Sequence, residues 1–172
     1  MTLEINKQFT IDAPVERVWS ILADDFEHVY DWATGLDSSG PNPKAPRQAD
    51  GNAGGRVCEV PGFGFTDERV VTYDPERHTI AYSVDAEKVP GFVHDLTNRW
   101  TLRSHGASAG AGTAVTMRLS ADVTGPLGAI MKPMMRRRFD KLLSAVTTDL
   151  TVYAETGKVS DGKARELASQ AA

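Results

Sequence analysis

Apolar and polar positions alternate with a period of two through most of the chain and switch to a period near 3.6 in its last third. Leu3, Ile5, Phe9 and Ile11 alternate with Glu4, Asn6, Gln8 and Thr10, which predicts a half-buried strand whose apolar face is broken only by Lys7. Asp12-Ala13-Pro14 reads as a helix start, with Asp12 a candidate cap and Pro14 tolerated in the first turn. Val15, Val18, Trp19 and Leu22 follow at helical spacing. A second short helical piece is predicted from Asp25 to about Trp32, with Phe26, Val29 and Tyr30 inward.

Asp37 to Gly55 is rich in Gly, Pro, Ser and Asn and reads as a long loop, a common place for lids and binding loops. Strands resume over Arg56–Val60 and Phe63–Tyr73, the second ending at the turn Asp74-Pro75-Glu76. Alternation in that second strand fails after Glu68, so its pattern assigns no inner face. Thr79–Asp85 places Ile80, Tyr82 and Val84 on one face, and Pro90-Gly91 turns the chain again. In Val93–Arg103 the even positions His94, Leu96, Asn98, Trp100 and Leu102 form the apolar face and are predicted inward. A turn of small residues, HGASAGAG, leads to Thr113–Val123, where Val115, Met117, Leu119, Ala121 and Val123 face in. Short turns force neighbouring strands to pair antiparallel.

Gly125 to Tyr153 then carries Leu127, Met131, Met134, Met135, Phe139, Leu142, Leu143, Val146, Leu150 and Tyr153 at steps of three and four, which predicts a long helix. Gly125-Pro126 precedes it and Gly157 is the expected C-terminal cap. Pro133 either kinks this helix or marks its start, leaving Leu127–Lys132 as a separate piece or lid. Arg137 falls opposite the stripe, with Arg136 and Arg138 on its borders. The order is β-α-α-β-β-β-β-β-α: a curved antiparallel sheet of six to seven strands with a long helix across it and a ligand cavity between them.

Bulk numbers narrow the function classes. A chain of 172 residues with 41% apolar and 24% charged residues suits one domain with a real core, assigned to residues 1–157, followed by a polar tail, 158–172. A net charge of −4 gives no electrostatic footprint for nucleic acid. No apolar run is long enough to span a membrane, and the start MTLEINKQF lacks the pattern of a secretory signal. The lone cysteine, Cys58, precludes an internal disulfide and fits a reducing, cytoplasmic location.

Several residues could carry chemistry. His94, Asn98 and Tyr82 are polar on faces otherwise apolar; they either orient a ligand or act on it, or satisfy one another and backbone. Arg136 and Arg138 either reach a ligand carboxylate or extend to solvent. Of Arg69 and Glu68 one faces inward, and an inward arginine would favour an acidic ligand. Trp19, Trp32 and Trp100 read as core. Met117, Met131, Met134 and Met135 read as core or as a pliable lining. No nucleophile motif surrounds Cys58. His28, His78, His94 and His105 are scattered without metal-ligand spacing, and no glycine run has the strand-to-helix setting of a phosphate site. No metal or cofactor is expected.

The stretches INKQFTIDAPVERVWSILAD, FEHVYDWATGL, ERVVTYDPERHTIAYSV, NRWTLRSHGASAGAGTAVTMRLSADV and GPLGAIMKPMMRRRFDKLL together resemble the START-like or SRPBCC superfamily, nearest its bacterial polyketide cyclase/dehydrase and lipid-transport branch. The resemblance covers roughly residues 3 to 155. It implies the α+β helix-grip fold, whose members bind lipids, sterols, polyketides or plant hormones, some as enzymes, with no shared catalytic signature. The expected function is binding of a small hydrophobic or amphipathic ligand. The expected lining is Ile80, Tyr82, Leu96, Asn98, Trp100, Met117, Leu119, Met131, Met135, Phe139 and Leu142. A cyclase/dehydratase using His94, Tyr82 and Asn98, or a protein-interaction module with a filled cavity, are the alternatives.

Overall fold

A computed structural model describes residues 1–47, 51–106 and 112–170. Part of the long loop and most of the HGASAGAG turn therefore lie outside the described residues. Seven strands make one curved antiparallel sheet: β1 (Thr2–Ile11), β2 (Ser38–Pro41), β3 (Gly55–Val60), β4 (Gly64–Asp74), β5 (Thr79–Ala86), β6 (Val93–His105) and β7 (Gly112–Val123). Their order across the sheet is β1-β7-β6-β5-β4-β3-β2. β2 lies within the stretch read as loop. It is only four residues long, SSGP, and alternation has no length to register there.

Between β1 and β2 run a short helix, α1 (Val15–Trp19), a π turn (Ser20–Asp24) and a 3-10 turn (Phe26–Asp31). Val15, Val18, Trp19, Leu22, Phe26 and Val29 are buried as the spacing predicts. Asp12 is not the cap: Pro14 occupies that position, no side chain bonds the first turn, and the Asp12 backbone N–H donates to Glu155 Oε1 at 2.8 Å.

The long helix α2 (Gly125–Thr156) ends where Gly157, at φ 71, returns its N–H to the Tyr153 carbonyl at 2.9 Å. It runs through Pro133 without interruption, so Leu127–Lys132 belongs to the same helix. Its start lies hard against the end of β7: a Cβ on Gly128 would come within 2.7 Å of Val123 Cγ1. Met135, Phe139, Leu143 and Leu150 are buried. Leu127 and Met134 depart from the predicted stripe and are exposed, as is Ile130, because at about 100° per residue they point away from the buried line that runs through Gly128, Met135 and Phe139. Lys7, the break in β1's apolar face, bridges to α2 through Asp140 Oδ1 at 2.6 Å and Ser144 Oγ at 2.9 Å.

The polar stretch after Gly157 contains a further helix, α3 (Asp161–Gln170), held by buried polar contacts. Lys163 is fully buried, its Nζ 3.8 Å from the Tyr30 ring centroid and 2.9 Å from Glu166 Oε1. Asp149 joins the pieces. Its Oδ2 accepts from the Thr34 N–H at 2.8 Å and the Thr34 hydroxyl at 2.6 Å, and its Oδ1 accepts from Ser160 Oγ at 2.5 Å. Glu166 Oε2 adds a bond from the Gly35 N–H at 2.7 Å.

Candidate functional site

The inner face of the sheet carries a band of four polar side chains on successive strands. On β3, period-two alternation buries Arg56, Cys58 and Val60 together. The β3–β4 ladder sets Arg56 opposite Glu68 and Cys58 opposite Thr66. Tyr82 on β5 pairs with Asn98 on β6. All four polar residues are at least nine-tenths buried.

They form one connected set. Arg56 Nε donates to Glu68 Oε2 at 2.8 Å, Nη1 to the Phe26 carbonyl at 2.9 Å, and Nη2 to the Tyr82 hydroxyl at 3.4 Å. Its guanidinium lies 4.1 Å from the Phe26 ring centroid. Asn98 Nδ2 donates to the Tyr82 hydroxyl at 3.0 Å, while Asn98 Oδ1 is buried without a partner. Burial alone would lower the Arg56 pKa, but the charge of Glu68, with smaller help from Cys58, Tyr82 and the Glu68 hydrogen bond, together outweighs it and the guanidinium is held charged. Burial raises the Tyr82 phenol, Glu68 adds to the rise, and Arg56 and Trp100 oppose it. Burial likewise pushes the Cys58 thiol up to about 12, against the pull of Arg56.

This band closes one side of a cavity of about 130 Å³ between the sheet and α2. Apart from Thr34 and Thr66, the remaining wall is apolar. β3 to β6 contribute Val60, Val84, Ala86, Leu96 and Trp100; β7 contributes Leu119; α2 contributes Phe139, Leu142, Leu143 and Val146. Val29, Ala33, Thr34 and Leu36 close it from the segment after α1. Phe63, from the β3–β4 turn, stacks on Phe139 at 5.8 Å, and the Arg138 guanidinium covers its ring at 4.3 Å. Arg138 thus sits over an aromatic residue of the cavity wall, while Arg137 is exposed and Arg136 Nη1 donates to the Glu4 carbonyl at 3.0 Å.

Of the expected lining, Tyr82, Leu96, Asn98, Trp100, Leu119, Phe139 and Leu142 border the cavity. Ile80, Met117 and Met135 are buried in the core beside it, and Met131 is half-buried farther along α2; these four do not border it. His94 is not inward. A bulge between His94 and Thr97, with Asp95 at φ 51, flips the start of β6, so that Val93 is buried and His94 is exposed. His94 instead borders an outer cleft of about 440 Å³ with Asp67, Arg69, Asp85 and Asp95. The β5–β6 ladder stops at Ser83–Thr97, and where the strands part Val84, Ala86, Val89 and Leu96 line both spaces.

Of the pair Glu68 and Arg69, the inward residue is Glu68. Arg56 escapes the sequence reading, because a charge on a short strand reads as solvent-facing; its signal is the phase of Cys58 and Val60, together with the tight turn that sets it opposite Glu68. Arg69, the other candidate for the inward position, is exposed and bound to Asp67, its Nε 2.9 Å from Oδ1. The inner arginine is Arg56, and its charge is already matched. Trp19 and Trp32 are core, and among the described residues no group of three or more His, Cys, Asp or Glu side chains is placed to hold a metal ion.

The model of the family described as polyketide cyclase/dehydrase and lipid transport matches residues 2–155. The chain belongs to that family. Its fold matches a START superfamily protein from Mycobacterium smegmatis with TM-score 0.68 and 17% identity, covering 90% of this chain and 99% of that one. A protein from Nitrosospira multiformis gives TM-score 0.65 and 17% identity, over 90% and 97% of the two chains. The protein XoxI from Bacillus cereus gives TM-score 0.61 and 16% identity, over 88% and 94%. These likenesses are of fold, and all three neighbours are bacterial, as the resemblance implied. A search of curated proteins finds no significant match. Among the described residues no helix is long and apolar enough to cross a membrane.

Proposed function

We propose that this protein is a cytoplasmic binding protein for a small hydrophobic or amphipathic molecule, lipid- or polyketide-like, held between the sheet and α2. The observation that carries the reading is an apolar wall interrupted at one place by a buried, charge-matched polar band. Apolar lining supplies most of the binding free energy, at roughly 25 cal/mol per Å² removed from water, and a few convergent polar atoms set orientation. The family's description, with its lipid transport and polyketide chemistry, supports the same reading.

The space of about 130 Å³ limits the guest. Pockets for drug-sized molecules run to roughly 300–1,000 Å³, so a larger guest requires Phe63 and its neighbours to move. The test is native mass spectrometry of freshly purified protein, followed by extraction and titration with apolar probes. A co-purified apolar small molecule, or saturable binding of such a probe, is the expected result. An unliganded mass in every preparation together with no probe binding would sink the reading.

A further inference from the structure

Asn98 Oδ1 is a hydrogen-bond acceptor shut away from water with nothing donating to it. Such an atom in a side chain 94% buried carries the full desolvation penalty of a lost hydrogen bond unless a guest or a water supplies a proton. Asn98 borders the cavity, so its amide belongs to the wall that a guest packs against. Beside it, the Tyr82 hydroxyl accepts from Asn98 Nδ2 and Arg56 Nη2, with the Trp100 indole N–H as a further donor. Its own proton is committed to none of these bonds. The band therefore offers the cavity one acceptor and one donor, adjacent to each other.

We propose that the band formed by Asn98 and Tyr82 recognises a neutral hydroxyl group, an alcohol, phenol or enol, on an otherwise apolar ligand. The inference rests on the cavity being a ligand site and adds the chemistry of the ligand's head. A hydroxyl donates to Asn98 Oδ1 and accepts from the Tyr82 O–H with the same oxygen. A ketone cannot donate and leaves Oδ1 orphaned. A carboxylate meets Oδ1 with a second acceptor. It also finds the charge of the nearby guanidinium already paired with Glu68, so its own charge would be buried unmatched. Burial keeps the Tyr82 phenol protonated and able to donate.

Three matched probes separate the possibilities: p-cresol, toluene and p-toluate, titrated into the intact protein and followed through the Trp100 indole resonance by NMR. A benzene-sized guest suits an apolar cavity of this order of volume. The expected result is p-cresol binding at least about tenfold tighter than toluene, with p-toluate weakest, since one regained hydrogen bond is worth about that factor. In Asn98→Leu the cresol-to-toluene ratio falls toward one. Tyr82→Phe provides the same readout should the first variant not fold. Toluene and p-cresol binding alike in the parent protein overturns the hydroxyl inference and leaves the cavity reading standing; a resident water satisfying Asn98 Oδ1 gives this outcome. Tightest binding by p-toluate also overturns the inference. No binding by any of the three overturns both.

Discussion

Arg56 and Glu68 face each other across the β3–β4 ladder, Nε to Oε2 at 2.8 Å, each only 8% exposed. A matched pair in such a place is neutral as a unit and costly to split. Removing one partner strands the other charge in a low-dielectric wall.

Arg56→Met and Glu68→Leu are each expected to lower folding stability by about 3–5 kcal/mol. The double variant is expected to lose less than either single one, because no buried charge remains. Urea unfolding of the three proteins measures this. Single variants within about 1 kcal/mol of the parent would show the pair to be solvated after all.

Asp67 gives a pH dependence of a definite sign. The hydrogen bond from Arg69 is the main cause of its depressed pKa, helped by Asn42 and then by the charges of Arg69 and Lys44, and brings it to about 2. A depressed folded-state pKa contributes stability that is complete above the unfolded value near 3.8 and is lost as pH falls through about 2. Asp67→Asn should flatten this part of the acid limb. Unfolding at pH 2.5, 4 and 6 tests it, and equal acid slopes in parent and variant would remove Asp67 from the account.

Cys58 borders the cavity, is 1% exposed and has a thiol pushed up to about 12. At pH 8 almost no thiolate exists, so a disulfide reagent should modify native protein far more slowly than urea-unfolded protein. An occupied cavity should slow the reaction further. Labelling of the native protein at the free-thiol rate would mean that this wall opens readily.

Asp149→Ala leaves the Thr34 N–H, the Thr34 hydroxyl and Ser160 Oγ without their acceptor. A loss of at least about 2 kcal/mol is expected from the unpaired buried donors. Thr34 and Leu36 border the cavity, so probe affinity should fall with it. A destabilised variant with unaltered affinity would separate this junction from the cavity wall.

Much of this arrangement is written in the alternation of β1, β5 and β7, where one face is buried or partly buried along the whole strand. It fails where the ladder is irregular. The bulge between Val70 and Thr72 leaves Val71 exposed, which explains the lost phase after Glu68. The bulge after His94 inverts the start of β6, and no residue type in VHDLT announces it. The α2 stripe predicts the buried middle of the helix, but steps of three and four also admit Leu127 and Met134, which lie about 100–120° around the helix from Gly128 and face outward. Arg56 was hidden for a different reason: a charge is assigned to solvent until its partner's register is known.

The parting of β5 from β6 beyond Ser83–Thr97 has a mechanical meaning. The sheet resembles two plates there, β1-β7-β6 and β5-β4-β3-β2, laced together from the Leu102 N–H on the His78 carbonyl through Thr79–Thr101 to Ser83–Thr97. Past that seam, no ladder pair joins Val84 or Ala86 to Leu96. Spreading the plates would therefore stretch weak dispersion contacts and leave every ladder bond intact, so the wall is soft in the direction that enlarges the cavity and stiff in the others.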